Sequence, residues 1–249
     1  MRTMTALVLR EMGSTYGQSP GGYVWALLQP IGILLILSVG FSLLLRSPSL
    51  GTSFLMFYAT AYLPFDTYAT LARTIQNALK YSRPLLAYPR VTWVDAILGR
   101  FVLNLLTSLT VSSILLTAIL ALERNRAVLD FTYIFQGYAM AALLGLGVGV
   151  FNCMLSGLYP VWGIVWGIVS RPLFIASAVL YIYEDLGSSA QAVLWWNPLV
   201  HVTGLVRKGI YSTYEASYIS LQYGFGVALL ALFLGLLFMR SHYRTILER

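Results

Sequence analysis

Apolar positions in this chain neither alternate nor keep to one face; they run in blocks separated by short polar stretches that hold most of the charge. A bilayer accounts for such blocks, since a helix needs about 20 mostly apolar residues to cross its core. Gaps between charges place spanning helices at residues 23–45, 52–77, 101–122, 131–156, 168–184 and 216–239. Pro30 is expected to kink the first. Upstream, Met4, Leu7, Val8 and Met12 recur at helical spacing opposite Arg2, Arg10 and Glu11, which predicts an amphipathic helix along the membrane surface within residues 1–22.

Two stretches need a decision. Residues 131–170 hold no charge, too many for one helix, and Ser156-Gly157-Leu158-Tyr159-Pro160 supplies the break. The next span starts either at Val161 with Arg171 inside the membrane or near Ile168 after an interfacial helix bearing Trp162 and Trp166. The second choice spares a buried guanidinium and is preferred. Leu186 to Val206 is also uncharged and about long enough to cross, yet it holds Gly187-Ser188-Ser189, Asn197-Pro198 and His201. If it crosses, there are seven spans and the C-terminal tail lies outside; if it dips in and returns, there are six and both termini are cytoplasmic. The six-span arrangement puts Arg2, Arg10, Lys80, Arg83, Arg90, Arg100, Arg171, Arg240, Arg244 and Arg249 inside, and Arg46, Arg124, Arg126, Arg207 and Lys208 outside. That excess inside follows the rule that cytoplasmic loops are rich in Lys and Arg.

Composition sharpens this picture. Of 249 residues, 58% are hydrophobic and 10% charged, against roughly a quarter charged in soluble domains. The net charge of +7 does not indicate nucleic acid, because the basic residues flank apolar segments instead of lining one face. The single cysteine, Cys153, lies in an apolar run and cannot form an intrachain disulfide. Arg2, Arg10, Glu11 and the Gly/Ser-rich stretch after them do not form a cleavable signal, so the first span is expected to direct insertion. The 17 Tyr, 12 Phe and 6 Trp suit membrane interfaces as well as sugar-lined paths.

Candidate chemistry is sparse. No phosphate loop, His-Glu-x-x-His, Cys-x-x-Cys or Gly-x-Ser-x-Gly occurs, so the chain itself is read as neither an ATPase, a metalloenzyme nor a triad hydrolase, with no metal and no cofactor of its own. Gly145-Leu146-Gly147-Val148-Gly149 lies mid-span with no flanking strand and reads as close helix packing, as do Gly163 and Gly167. Asp66 and Arg73, two helical turns apart, share one face of the second span and read either as a polar lining or relay, or as an interfacial ion pair. Residues 80–95 are basic and cut by Pro84 and Pro89, which predicts a short surface helix between the prolines.

Three stretches resemble a known family. Leu7-Val8-Leu9-Arg10-Glu11-Met12 with Tyr16, Gly21-Gly22, Trp25 and Gln29-Pro30 is similar to the N-terminal signature of permease subunits of polysaccharide-exporting ATP-binding-cassette transporters. Asn197-Pro198-Leu199-Val200-His201 with Arg207 and Tyr211 is similar to their C-terminal signature. Arg171-Pro172-Leu173-Phe174, preceded by Tyr159-Pro160 and Trp166, resembles the capsular branch, which is related to the O-antigen exporters. The resemblance implies an all-α six-span permease in the bacterial inner membrane, paired with a second copy and with two cytoplasmic subunits that bind ATP and Mg. It also implies a periplasmic co-export protein and a lipid-linked acidic polysaccharide as cargo. Arg83, Pro84, Leu85, Leu86, Ala87, Tyr88, Pro89 and Arg90, alongside Arg10 and Glu11, would couple to the ATPase. Residues 185–214, with Trp195, Trp196, Asn197, Pro198, His201 and Arg207, would form a periplasmic re-entrant gate.

An extended sugar chain needs a path of rings and hydroxyls that slide past it, for which Tyr58, Tyr62, Asp66, Tyr68, Arg73, Arg171, Phe174, Tyr181 and Tyr183 are the candidates. Two other classes remain open. A membrane-embedded transferase acting on lipid-linked sugars needs a cluster of carboxylates or histidines at one face, which Glu11, Asp66 and Asp95 do not form. An ion-coupled secondary carrier resting on Asp66 and Arg73 would be favoured by an internal repeat, and none is evident.

Overall fold

A computed structural model describes residues 22–86, 91–123 and 128–248. Nearly all of the expected interfacial helix, with Arg10 and Glu11, and the coupling candidates Ala87, Tyr88, Pro89 and Arg90 lie outside the described residues. The described residues form nine α-helices, one 3-10 turn and no strand. The helices are α1 (Gly22–Leu44), α2 (Phe54–Gln76), α3 (Ala78–Leu86), α4 (Trp93–Leu122), α5 (Phe131–Leu158), α6 (Trp162–Ala176), α7 (Ser188–Leu194), α8 (Pro198–Ile210) and α9 (Leu221–Glu248). Four are long and apolar enough to cross a membrane: Val24–Leu44, Trp93–Leu122, Phe131–Leu158 and Leu221–Leu247.

α2 is as long as α1 but carries Asp66, Arg73 and several hydroxyls, and it sits at the centre of the bundle against α1, α4, α5 and α8. Its neighbours screen it from lipid, which is where a membrane helix can hold polar side chains. The glycine run does what its composition predicts. A Cβ on Gly145 would meet Leu71 at 2.8 Å, and one on Gly149 would meet Ile75 at 2.8 Å, so α2 lies directly on that face of α5. Gly147, between them, faces the other way, with the Ala228 carbonyl of α9 at 2.7 Å. Between helices in a bilayer, close van der Waals packing through small residues replaces the hydrophobic force. Gly163 and Gly167 depart from that reading: Gly163 has only Gln76 Nε2 nearby, at 3.9 Å, and Gly167 faces open space.

Several boundaries move. α4 begins eight residues before position 101 because Thr92 and Asp95 close a capping box, Thr92 Oγ1 accepting from Asp95 N–H and Asp95 Oδ2 from Thr92 N–H. Arg100 is thereby inside a helix and buried, with Nη1 donating to Thr74 O and the guanidinium 4.1 Å from the Tyr81 ring. The helix expected at 168–184 instead runs from Trp162 to Ala176, carries Arg171 and Pro172 within it, and leaves Arg171 exposed. Ala178, at φ 55°, ends it. Pro84 lies inside α3 rather than at the start of a helix, and the last helix runs from 221 to 248 rather than 216 to 239. Leu186 to Val206 is broken at Trp195-Trp196-Asn197 into α7 and α8, neither long enough to cross alone. Arg100 and Arg207, both counted as loop charges in the six-span arrangement, are buried.

Candidate functional site

The polar face of α2 opens on two crevices. One, about 310 Å³, lies between α1, α2 and α4 and is lined by Trp25, Gln29, Asp66, Thr70, Arg73 and Asn104, with Thr107, Ser108 and Ser112 beyond them. The other, about 420 Å³, lies between α2 and α6 and is lined by Gln29, Asp66, Tyr68, Thr70, Arg73, Gln76, Trp166 and Ser170. Gln29, Asp66, Thr70 and Arg73 belong to both, so the two spaces share one charged wall. Asp66 Oδ1 accepts from Tyr62 O–H at 3.3 Å, which fixes the carboxylate from one side and leaves its other lone pairs toward the crevices.

A third space, about 360 Å³, continues the second through Gln76, Asn77 and Gly163 to Lys80, Arg83, Ser156 and the last turn of α9. Gln76 Nε2 donates to Ser156 Oγ at 2.9 Å, tying α2 to α5 at that point. The result is a polar groove that follows α2 from Asp66 and continues beside α3 to Arg83, carrying Arg73, Lys80 and Arg83 against one carboxylate. Its chemistry suits a long, hydroxyl-rich, anionic molecule: carboxylate and amide groups for sugar hydroxyls, guanidinium and ammonium groups for acidic substituents.

At the end where α6 breaks, Asn197 and one face of α8 meet the carbonyls that follow the helix. Asn197 caps α8 by accepting from Leu199 N–H, and its Nδ2 donates to Ala176 O at 3.0 Å. Thr203 Oγ1 donates to Ser177 O, and Arg207 donates to Val179 O and Tyr181 O. One face of α8 thus meets the carbonyls that the end of α6 leaves without helical partners. Arg207 is 1% exposed and lies 4.4 Å from the Phe57 ring. Beside it, His201 Nε2 donates to Trp195 O while Nδ1 accepts from Ser220 N–H, which sets the imidazole as neutral, and burial holds its pKa below the ordinary value. Trp195 and Tyr223 stack at 4.7 Å, Tyr183 and Tyr218 at 4.1 Å, and Trp196 stays exposed.

The channel candidates therefore divide. Asp66, Tyr68 and Arg73 line the crevices, and Tyr62 supports them. Tyr58 is buried among Phe41, Phe54 and Phe57, and Phe174 packs on Phe65 and Tyr62. Tyr181 O–H donates back to Ile175 O at the end of α6 and Tyr183 O–H donates to Gln191 O of α7, so neither hydroxyl lines the crevices; Arg171 is exposed. Gln29, Thr70, Gln76, Asn104, Thr107, Ser108 and Trp166 also line the crevices, beyond the candidates legible in the sequence. Asn104, Thr107 and Ser108, at helical spacing in the first half of a long span, were the signal for three of them. At the opposite end, Arg83 Nη2 donates to Leu247 O at 3.1 Å, and Trp93 lies 6.3 Å from Tyr243, so α3 and the start of α4 are held against the last turns of α9. Among the described residues no group of three His, Cys, Asp or Glu converges as a metal-binding set.

The family model described as ABC2_membrane, ABC-2 type transporter, matches residues 2–211. The chain is 26% identical over 245 residues to polysialic acid transport protein KpsM of Escherichia coli, covering 98% of this chain and 95% of the relative. It is 23% identical over 241 residues to capsule polysaccharide export inner-membrane protein BexB of Haemophilus influenzae, covering 96% and 91%. It is 20% identical over 217 residues to capsule polysaccharide export inner-membrane protein CtrC of Neisseria meningitidis, covering 87% and 82%.

Proposed function

The chain belongs to the ABC-2 type transporter family, and from that premise we propose that it is the membrane permease subunit of an exporter carrying a lipid-linked, acidic, capsular-type polysaccharide across a bacterial inner membrane. The observation that carries this reading is that similarity to capsule-export permeases runs nearly end to end, on a chain whose central helix bears a continuous polar and cationic groove. Energy comes from two partner subunits that bind ATP and Mg and hydrolyse ATP. A second copy of the chain completes the path, and a periplasmic co-export protein receives the polymer.

The six spans of this reading are α1, α2, α4, α5, α6 and α9, with both termini cytoplasmic. α6 has no buried residue within one chain, which supports a second copy against it. The α7–α8 hairpin enters from the periplasmic side and returns, forming the gate, and α8 is seated against α5 and α2. α3 and the residues up to 95 form the coupling segment. Its hold on α4, α5 and the end of α9 supports a lever that passes motion from the ATPase to the spans lining the groove.

Copurification tests the assembly. A tagged chain recovered with a stoichiometric ATPase subunit supports the reading, whereas a chain recovered alone with sugar-transferase activity overturns it. Charge reversal at Arg83 is expected to uncouple ATP hydrolysis from export while the complex still assembles.

A further inference from the structure

We propose that Arg100 is the positioning residue through which a movement of α3 reaches the polar crevice between α2 and α4. The inference rests on the reading of α3 as the coupling segment and names the side chain that the segment acts through. α2 and α3 are consecutive helices parted at a single residue, Asn77, at φ −95° and ψ 7°. Such a break leaves the last carbonyls of α2 without partners further along the helix. Side chains supply two of them. Asn77 Nδ2 donates to Arg73 O at 2.9 Å, and Arg100 Nη1, from α4, donates to Thr74 O at 2.9 Å.

Arg100 does more than cap α2. Its guanidinium lies 4.1 Å from the centroid of the Tyr81 ring, on the first turn of α3. The edge of one planar group grips the end of α2 while its face covers a ring of α3, so a side chain from a third helix bridges the Asn77 break. Arg100 is 8% exposed and Tyr81 39% exposed. The contact therefore joins the interior of the bundle to a ring at its surface, where a partner pressing on α3 would meet it. On the inner side the same residue touches the crevice walls. Thr74 lines the crevice next to Arg73, and so does Asn104, whose Nδ2 donates to Arg100 O at 2.8 Å. Without this pin α3 could swing about Asn77 alone. With it, displacing the Tyr81 ring displaces α4 and the last turn of α2 together, and Arg73 and Asn104 with them. Lysine cannot replace it, because an ammonium has no plane to stack on a ring while its edge donates elsewhere.

Two quantities test the assignment: surface polymer per unit of assembled complex in cells fed radioactive glucose, and ATP hydrolysis by the purified full permease–ATPase complex. Their ratio is the readout. Arg100→Lys and Tyr81→Leu are each expected to lower it about fivefold, the order of one cation–π contact. Tyr81→Phe keeps the ring and should match the wild type. The double variant Arg100→Lys, Tyr81→Leu should fall no lower than the worse single variant, because both break one contact. A merely structural role would lower yield, hydrolysis and export in step. If Arg100→Lys does not assemble, Tyr81→Leu against Tyr81→Phe decides, since that ring lies at the surface. The assignment is overturned if the wild type exports and the single variants keep its ratio, if losses follow the yield of complex, or if the two losses multiply. A wild type that assembles and hydrolyses ATP but delivers no polymer overturns the permease reading itself, and this assignment with it.

Discussion

Arg207 Nη1 lies 2.7 Å from the carbonyl oxygen of Tyr181, and Nη2 lies 3.1 Å from that of Val179, so one buried side chain holds both sides of the irregular turn after α6. Arg207→Ala would leave two carbonyls without their partner beside a side chain that is 1% exposed. The expected loss is about 2–4 kcal/mol of stability. Arg207→Lys keeps the charge but loses the fork that reaches both carbonyls, and should fall between the two. Thermal unfolding of the purified complex checks the order wild type, Lys, Ala.

Gly147 and Ala228 define a second contact that tolerates no side chain. A Cβ at Gly147 would stand 2.7 Å from Ala228 O and 2.8 Å from Leu232 N, both backbone atoms that cannot turn away. Gly147→Leu is therefore expected to cost about 1–3 kcal/mol or more by forcing α5 and α9 apart. Gly40→Leu, at a position with nothing within 4 Å, is the control and should be near neutral. Comparison of the two in a thermal-shift assay separates packing from a general effect of added bulk.

These two contacts also divide what the sequence made legible from what it did not. The glycine run announced close helix packing because three glycines in five residues of an apolar span have few other uses, and the fourth span was bounded by Asp130 before it and the Ser156-to-Pro160 break after it. The end of α6 was hidden. Arg171 argued for a start near Ile168 that spares a buried guanidinium, yet the helix runs through Arg171 and Pro172 and the break comes at Ala178, whose left-handed backbone no residue type there announces. Tyr58, Tyr62 and Tyr68 recur on one helix, but α2 is surrounded on several sides. Which of its rings faces a crevice depends on neighbours that local spacing does not reveal: Tyr58 is in the core and Tyr68 lines the groove.

Arg73 is the exposed cation where the two crevices meet. Arg73→Gln is expected to lower export of an acidic polymer about tenfold, equivalent to about 1.4 kcal/mol of lost attraction, without lowering the amount of assembled complex. Asp66→Asn keeps an acceptor for Tyr62 and should have a smaller effect. Polymer appearing at the surface per unit of complex is the measurement; equal export by both variants and wild type would remove Arg73 from the path.

His201 gives the packing of α8 against the Trp195 turn a pH dependence. Burial favours the neutral ring, so the folded pKa lies below the unfolded value of about 6.5 and the unfolded state binds the extra proton more readily. Stability from this group is present above about pH 6.5 and declines as pH falls below it. Protonation of Nδ1 would also destroy the acceptor for Ser220 N–H. The melting temperature should drop between about pH 6.5 and 5 in the wild type, and drop less in His201→Gln.

The most direct test of the account is ATP-dependent delivery of polymer in a capsule-deficient strain that lacks its own permease. Supplied with this chain and its partner ATPase, the strain is predicted to display surface polysaccharide, and to accumulate it inside the cell when the ATPase can no longer hydrolyse ATP. Surface polysaccharide that persists without a working ATPase, or that never appears although the complex assembles, would contradict it.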